Sequence, residues 1–314
     1  MRMRVAVATL LLLPLLTGCP GDRYAQRTLH GSNLNAPTPL RGPAPPALAV
    51  IGQLRAPESV LFDPQQDLYF ISNINGSMLS VDANGFISRV NPNTMQVELK
   101  WIESGKNGVR LDGPKGMAIV GETLYVSDIT AVRKFNRRTG APEGEIALAG
   151  ASFINDITTD GKSIYVSDTG VTLGPGTTFL ETGTDTIWKI TNDRPEKLAS
   201  SRDLGNPNGL DWYKGALRVI TFGSNELYEL DGGKKSHAMK VPAGQLDGIV
   251  HLEDGTPVIS SWRGDEIFRG AGGDDFEAIL AGMDAPADLG YDTKRHRLLI
   301  PHPTANQVTI HHVQ

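Results

Sequence analysis

The sequence predicts an all-β fold, a six-bladed β-propeller whose N-terminal strand closes the last blade. Three observations carry this expectation. First, six segments repeat one short pattern of apolar run, polar turn and second apolar run: PESVLFDPQQDLYFIS, PKGMAIVGETLYVSD, INDITTDGKSIYVSD, PNGLDWYKGALRVIT, LDGIVHLEDGTPVIS and PADLGYDTKRHRLLIP. Their matching positions are Glu58, Lys115, Asn155, Asn208, Asp247 and Ala287, with steps of 57, 40, 53, 39 and 40. Several short strands per unit at this period mark a propeller. Second, the apolar runs alternate with polar residues and are rich in β-branched and aromatic side chains, as half-buried strands are. Third, the sixth repeat runs out of chain after its third strand, so a strand from the N-terminal side has to complete it.

Within each repeat the innermost strand begins at the register residue. Second strands are expected at 68–72, 124–127, 164–167, 217–221, 258–261 and 298–301. Third strands follow at 86–90, 132–135, 187–190, 227–230, 267–269 and 308–312. Weaker, outermost strands fall at 98–102, 145–148, 196–199, 237–241 and 276–280, and residues 47–54 supply the missing sixth. Turns such as Thr159-Asp160-Gly161 and Glu253-Asp254-Gly255 carry the residues that turns require. Three longer stretches break the regularity, at 73–85, 103–113 and 169–185. Irregular segments of this length in a compact domain often serve a site.

The chain divides into a signal at 1–18, a Pro-rich tether at 19–46 and the propeller at 47–314. Arg2 and Arg4 precede an apolar run over 5–16, and Leu16-Thr17-Gly18-Cys19 follows. A basic start, a short apolar run and small residues describe a secretory signal. Leu16-Thr17-Gly18-Cys19 also resembles the lipobox of bacterial lipoproteins, which implies lipidation at Cys19 and a new N-terminus there. Cys19 is the only cysteine among 314 residues, which excludes an intrachain disulfide and a zinc–thiolate site. The tether carries Pro20, Pro37, Pro39, Pro43, Pro45 and Pro46. The expected location is the bacterial envelope, held through the lipid alone. Pro20, in place of an inner-membrane-retaining Asp, favours the outer membrane. A net charge of −5 with dispersed Lys and Arg argues against a nucleic-acid partner.

In a propeller the innermost strands run side by side around a channel, so the register residues form a ring. Glu58, Asn155, Asn208 and Asp247 offer two carboxylates and two amide carbonyls, a hard all-oxygen set. It suits one divalent cation, Ca²⁺ best, with Mg²⁺ or Mn²⁺ also fitting. Four protein ligands leave positions for water or substrate. The structural alternative is that these side chains merely cap strand ends. Lys115 stands on the same ring, either to steady an anionic substrate or to pair with Glu58 or Asp156. Trp262 and Phe222 follow second strands, where they either rim the channel or pack in the core. His251, His302 and the His311-His312 pair read as structural. No phosphate-binding loop, paired-His helix or nucleophile elbow is present.

From about residue 50 onward the chain resembles the senescence marker protein (regucalcin)/gluconolactonase family, with paraoxonases and strictosidine synthases as more distant relatives. In that family a channel cation is held by Glu, Asn, Asn and Asp from the first, third, fourth and fifth repeats. Glu58, Asn155, Asn208 and Asp247 stand in those places. The resemblance implies metal-dependent hydrolysis of a lactone or ester, with Asp247 as general base and Lys115 steadying negative charge. Whether the chain is an enzyme stays open. The other expectation is a non-catalytic propeller that binds a ligand or an envelope partner, with a structural metal. Phe153 occupies the substrate-binding position where lactone-hydrolysing members keep an Arg, which turns the expectation from sugar lactones toward apolar substrates. The paraoxonase His pair has no counterpart in the second repeat. The acid that a second, structural calcium wants after the first-repeat Glu is Ser59 here, although Asp156 follows Asn155. No residue matches the Glu base of the strictosidine synthases.

Overall fold

The computed structural model describes residues 45–174 and 179–313. The expected signal, Cys19 and nearly all of the tether lie outside the described residues. Among the described residues no helix is long and apolar enough to cross a membrane.

Six four-stranded antiparallel sheets form among these residues, one per repeat. Strand β1 (Ala49–Ile51) comes first and belongs to the last blade. Blade one is β2 (Pro57–Asp63), β3 (Leu68–Asn73), β4 (Phe86–Val90) and β5 (Val97–Glu103). Blade two is β6 (Pro114–Val120), β7 (Thr123–Asp128), β8 (Ala131–Asn136) and β9 (Pro142–Ala147). Blade three opens with β10 (Ile154–Thr159) and β11 (Ile164–Asp168). A separate hairpin of β12 (Val171–Leu173) and β13 (Phe179–Glu181) intervenes before β14 (Thr186–Thr191) and β15 (Arg194–Ser200) complete the blade. Blade four is β16 (Pro207–Tyr213), β17 (Ala216–Thr221), β18 (Glu226–Asp231) and β19 (Lys234–Lys240). Blade five is β20 (Leu246–His251), β21 (Pro257–Ser261), β22 (Glu266–Gly272) and β23 (Asp275–Ala281). Blade six is β24 (Gly290–Asp292), β25 (Arg297–His302), β26 (Gln307–His312) and then β1, which pairs with β26 through Ala49–Ile310 and Ile51–Val308. Both ends of the domain thus close one sheet, as the sequence predicts.

The apolar core is divided among six clusters, each between two neighbouring blades. Tyr69 and Ile71 of β3 face the cluster shared with blade six, whereas Phe70 between them faces the cluster shared with blade two. Second strands β3, β11, β21 and β25 are therefore buried on both faces, and the expectation of half-buried alternation fails for them, whereas β7 and β17 keep it over their first three residues. Each blade is sandwiched by two others, so only the outermost strands, such as β9, meet water along most of their length. Burial of each such aliphatic side chain stabilises the fold by about 1.5–3 kcal/mol.

Polar ties cross the blade boundaries at the end of the channel away from the ring. Arg137, 2% exposed, pairs with Asp63 of blade one at 3.2 Å and with Glu122 at 2.9 Å, and also meets Gln65. Tyr69 donates to Asp292 across the seam with blade six at 2.6 Å. Arg137→Met should lower unfolding free energy by about 3 kcal/mol, because Asp63 keeps its buried charge and loses its guanidinium. Urea unfolding of the variant measures this, and a change under about 1 kcal/mol would mean that the backbone amides of Gln65 and Gln66, which also donate to Asp63, suffice for it.

Candidate metal centre and its pocket

Each of the first five innermost strands carries a β-bulge at the register residue. Pairing skips from Pro57 to Val60, Pro114 to Met117, Ile154 to Ile157, Pro207 to Leu210 and Leu246 to Ile249. A bulge re-aims side chains and frees backbone groups from the ladder. Second-strand serines take up the freed amides in three blades. Ser72 Oγ accepts from Ser59 N at 2.9 Å, Ser167 Oγ from Asp156 N at 3.0 Å, and Ser260 Oγ from Gly248 N at 2.8 Å. The last residue of the second strand pins the entry loop. Asp128 accepts from the amides of Asp112 and Gly113, and Asp168 from those of Ser152 and Phe153. The recurring Tyr-Val-Ser-Asp of blades two and three is this device.

The residue after the register position controls how closely the strands converge. A Cβ on Gly116 would stand 2.7 Å from the Asp156 Cα, and one on Gly248 would stand 2.1 Å from the Leu289 amide nitrogen. Glycine is required there by proximity. Asp156 and Asp288 lie against these two glycines.

The convergence brings Glu58, Lys115, Asn155, Asn208 and Asp247 to one open pocket of roughly 460 Å³, counting the space at its mouth that is open to solvent, with Phe153 beside them. All six sequence-predicted channel residues are there, whereas Ala287 is not among the lining residues. The Asn208 amide nitrogen donates to Leu246 O and to Asp247 Oδ1, both at 3.0 Å. Those two acceptors fix the amide's orientation and leave Asn208 Oδ1 buried without a donor. Glu58 Oε2 is likewise buried and unpartnered. Lys115, 1% exposed, makes no ion pair with Glu58 or Asp156. Its ammonium donates to Gly113 O at 2.7 Å and lies 4.7 Å from the centre of the Phe153 ring.

Electrostatics at this level are unbalanced. Glu58, Asp156, Asp247 and Asp288 are buried around one ammonium. Burial first, and mutual repulsion second, push the Glu58, Asp156 and Asp247 carboxyls well above their ordinary range. Burial raises Asp288 to about 7, against the opposing hydrogen bond from Ser59. Burial lowers Lys115 to about 8, opposed by the charges of Glu58, Asp128 and Asp247. The carboxyls bind protons more tightly folded than unfolded. Their contribution to stability is present near about pH 4 and is lost as pH rises through the folded values. With chelator present, unfolding free energy should fall by a few kcal/mol between about pH 5 and 8, and Asp288→Asn should flatten that slope. A chelated protein whose stability is level over this range would contradict the burial of these groups.

The donor set fits a hard divalent cation. It offers two carboxylates and two amide oxygens, two of those atoms are buried acceptors lacking a donor, and the surroundings carry excess negative charge. No group of three or more His, Cys, Asp or Glu arranged to hold a metal occurs among the described residues, since this set has only two carboxylates. The other two buried carboxyls are engaged internally: Ser59 Oγ donates to Asp288 Oδ2 at 2.5 Å, and Asp156 accepts from the amides of Leu210 and Ile157 at 2.6 Å.

Walls rise from the residues that follow the second strands, namely Ile74, Thr169, Phe222, Trp262 and Pro303. The 73–85 stretch adds Met78, and the 169–185 stretch adds Val171 and Phe179 from its hairpin. Phe179 meets Phe222 edge to face at 5.9 Å, and Phe222 meets Trp262 in the same way at 5.9 Å. Trp262 and Phe222 thus rim the channel while also packing. The 103–113 stretch does not line the pocket; it braces 73–85, with Asp112 accepting from Ala83 N at 2.9 Å. His302 and His311 are buried on Thr309, and His312 is exposed.

No protein-family model matches the chain, and no curated protein is similar to it in sequence. Solved structures are similar in shape. A gluconolactonase from Xanthomonas campestris superposes with a TM-score of 0.64 at 16% identity, over 86% of this chain and 97% of that one. A putative gluconolactonase gives 0.60 at 16% identity, covering 88% and 94%. A virginiamycin B lyase from Staphylococcus aureus gives 0.58 at 13% identity, covering 84% and 99%. The likeness is one of fold. It places gluconolactonase-like six-bladed propellers among the chain's structural neighbours.

Proposed function

We propose that the protein is a divalent-cation-dependent hydrolase of lactones or esters. The observation that carries the reading is the pair of buried, donor-less oxygens, Glu58 Oε2 and Asn208 Oδ1, in a pocket shared with Asn155, Asp247 and Lys115. Glu58, Asn155, Asn208 and Asp247 would hold the cation, with Ca²⁺ the best match to the donors. When bound, the ion supplies positive charge that polarises the substrate carbonyl. Asp247, oriented by the Asn208 amide, takes a proton from water. The water oxygen bonds to the acyl carbon, the acyl–oxygen bond breaks, and the proton passes to the departing alkoxide. Lys115 supplies a fixed positive charge for a carboxylate or for the developing oxyanion.

The same reading keeps the protein at the bacterial envelope through lipidated Cys19. A Cys19→Ser protein that still sediments wholly with membranes would overturn the anchor without touching the hydrolase.

Turnover of a panel of lactones and esters, with Ca²⁺ and after chelation, tests the activity. Asp247→Asn should reduce kcat by about a hundredfold or more. Lys115→Met should impair anionic substrates more than neutral ones and tighten cation binding by removing a like charge. Full turnover by Asp247→Asn would place the activity elsewhere. A wild type that binds cation tightly and hydrolyses nothing would make this a ligand- or partner-binding propeller with a structural metal.

A further inference from the structure

We infer that the pocket selects substrates with a polar function at one end and an aromatic body, and that Phe179, on the hairpin inserted in blade three, is the selecting residue. The inference rests on the hydrolytic reading of the same pocket and specifies its substrate class. The polar groups are stratified. Glu58, Lys115, Asn155, Asn208 and Asp247 all lie on the inner-strand ring, so they meet only one end of a ligand. Above that level the wall is apolar. Among the described residues its one side-chain hydroxyl, Thr169 Oγ1, already donates to Pro207 O at 3.0 Å. Its one other polar side-chain atom, the Trp262 indole nitrogen, is buried without a hydrogen-bond partner and stands near enough to the Asp247 carboxyl to oppose the rise that burial imposes there.

A sugar lactone would carry hydroxyls around its whole ring and find at most that single indole N–H for those that face this wall. A flat apolar body suffers no such loss. Phe179, Phe222 and Trp262 form a continuous edge-to-face series with ring centres 5.9 Å apart at both steps. Such a series offers ring faces and edges for a further aromatic ring to extend. Phe179 is the member that the blades do not need. It belongs to the two-stranded sheet of β12 and β13, outside the six blades, and is only partly buried. The framework is therefore built by the repeats, and the hairpin adds selectivity to it.

The test uses full-length, Ca²⁺-loaded protein and two readouts. Calorimetry compares binding of phenylacetate, acetate and gluconate. Kinetics compare kcat/KM for methyl phenylacetate, methyl acetate and glucono-lactone. Phenylacetate should bind at least about tenfold more tightly than acetate or gluconate, and the ester rates should follow that order. Phe179→Ala should bring the aryl preference to within about threefold while leaving Ca²⁺ affinity unchanged, and Phe179→Trp should retain it. Equal binding of phenylacetate and gluconate, or an aryl preference untouched by Phe179→Ala, would overturn the inference. Aryl binding that is sensitive to Phe179 with no ester turnover would sink the hydrolase and leave the selecting wall standing.

Discussion

Calcium at a hundredfold excess over its dissociation constant should raise the unfolding free energy by about 3 kcal/mol, and Asp247→Ala should remove most of that gain. The folded chain presents buried oxygens that lack donors, and carboxyls raised by burial and by each other. A cation bound only to the folded state would satisfy the first and relieve the second. Asp247→Ala deletes one ligand and also removes one of the two acceptors that orient the Asn208 amide, leaving only Leu246 O. Without cation the same variant should be at least as stable as the wild type, because one buried carboxylate is gone. Thermal unfolding with calcium and with chelator gives all four values. Identical melting of the wild type in both conditions would count against the site, and so would an undiminished calcium effect in the variant.

Gly248→Ala should destabilise the fold by more than about 3 kcal/mol. Overpacking is usually milder because side chains give way, but here the obstruction is backbone. The added Cβ would stand 2.1 Å from the Leu289 nitrogen and 2.6 Å from the Asp288 Cα. Relief requires blades five and six to separate at the axis. That movement would also pull Asp247 away from the ring, so calcium affinity should fall together with stability. Denaturant unfolding and calcium titration of the one variant measure both. A loss below 1 kcal/mol would mean that the inner strands stand farther apart than described.

The ring was legible because its residues recur at one place in a repeated pattern, and innermost strands must converge on an axis. Trp262 and Phe222 were legible as candidates for the same reason, since each follows a second strand. What pattern alone did not reveal depends on contacts between repeats. The bulges at Glu58, Lys115, Asn155, Asn208 and Asp247 leave no trace in hydrophobic periodicity. Gly116, Gly209 and Gly248, one place after the register, are a sign of three of the five. Asp156 and Asp288 occupy that same place, and a lone acid beside the ring does not by itself signal a second pair of buried carboxyls. The hairpin at 171–181 was hidden inside a stretch read only as long, because its strands have three residues each and pair with each other instead of with the blade. The ion pair offered as one role for Lys115 gave way to the Gly113 carbonyl and the Phe153 ring, an arrangement set by the loop that Asp128 pins.

The most direct test of the central claim is anomalous diffraction from crystals of the protein grown with Mn²⁺. One peak should lie about 2–2.6 Å from side-chain oxygens of Glu58, Asn155, Asn208 and Asp247, with further positions filled by water. A peak held by Asp156 and Asp288 instead, or no peak in this pocket at saturating Mn²⁺, would contradict it.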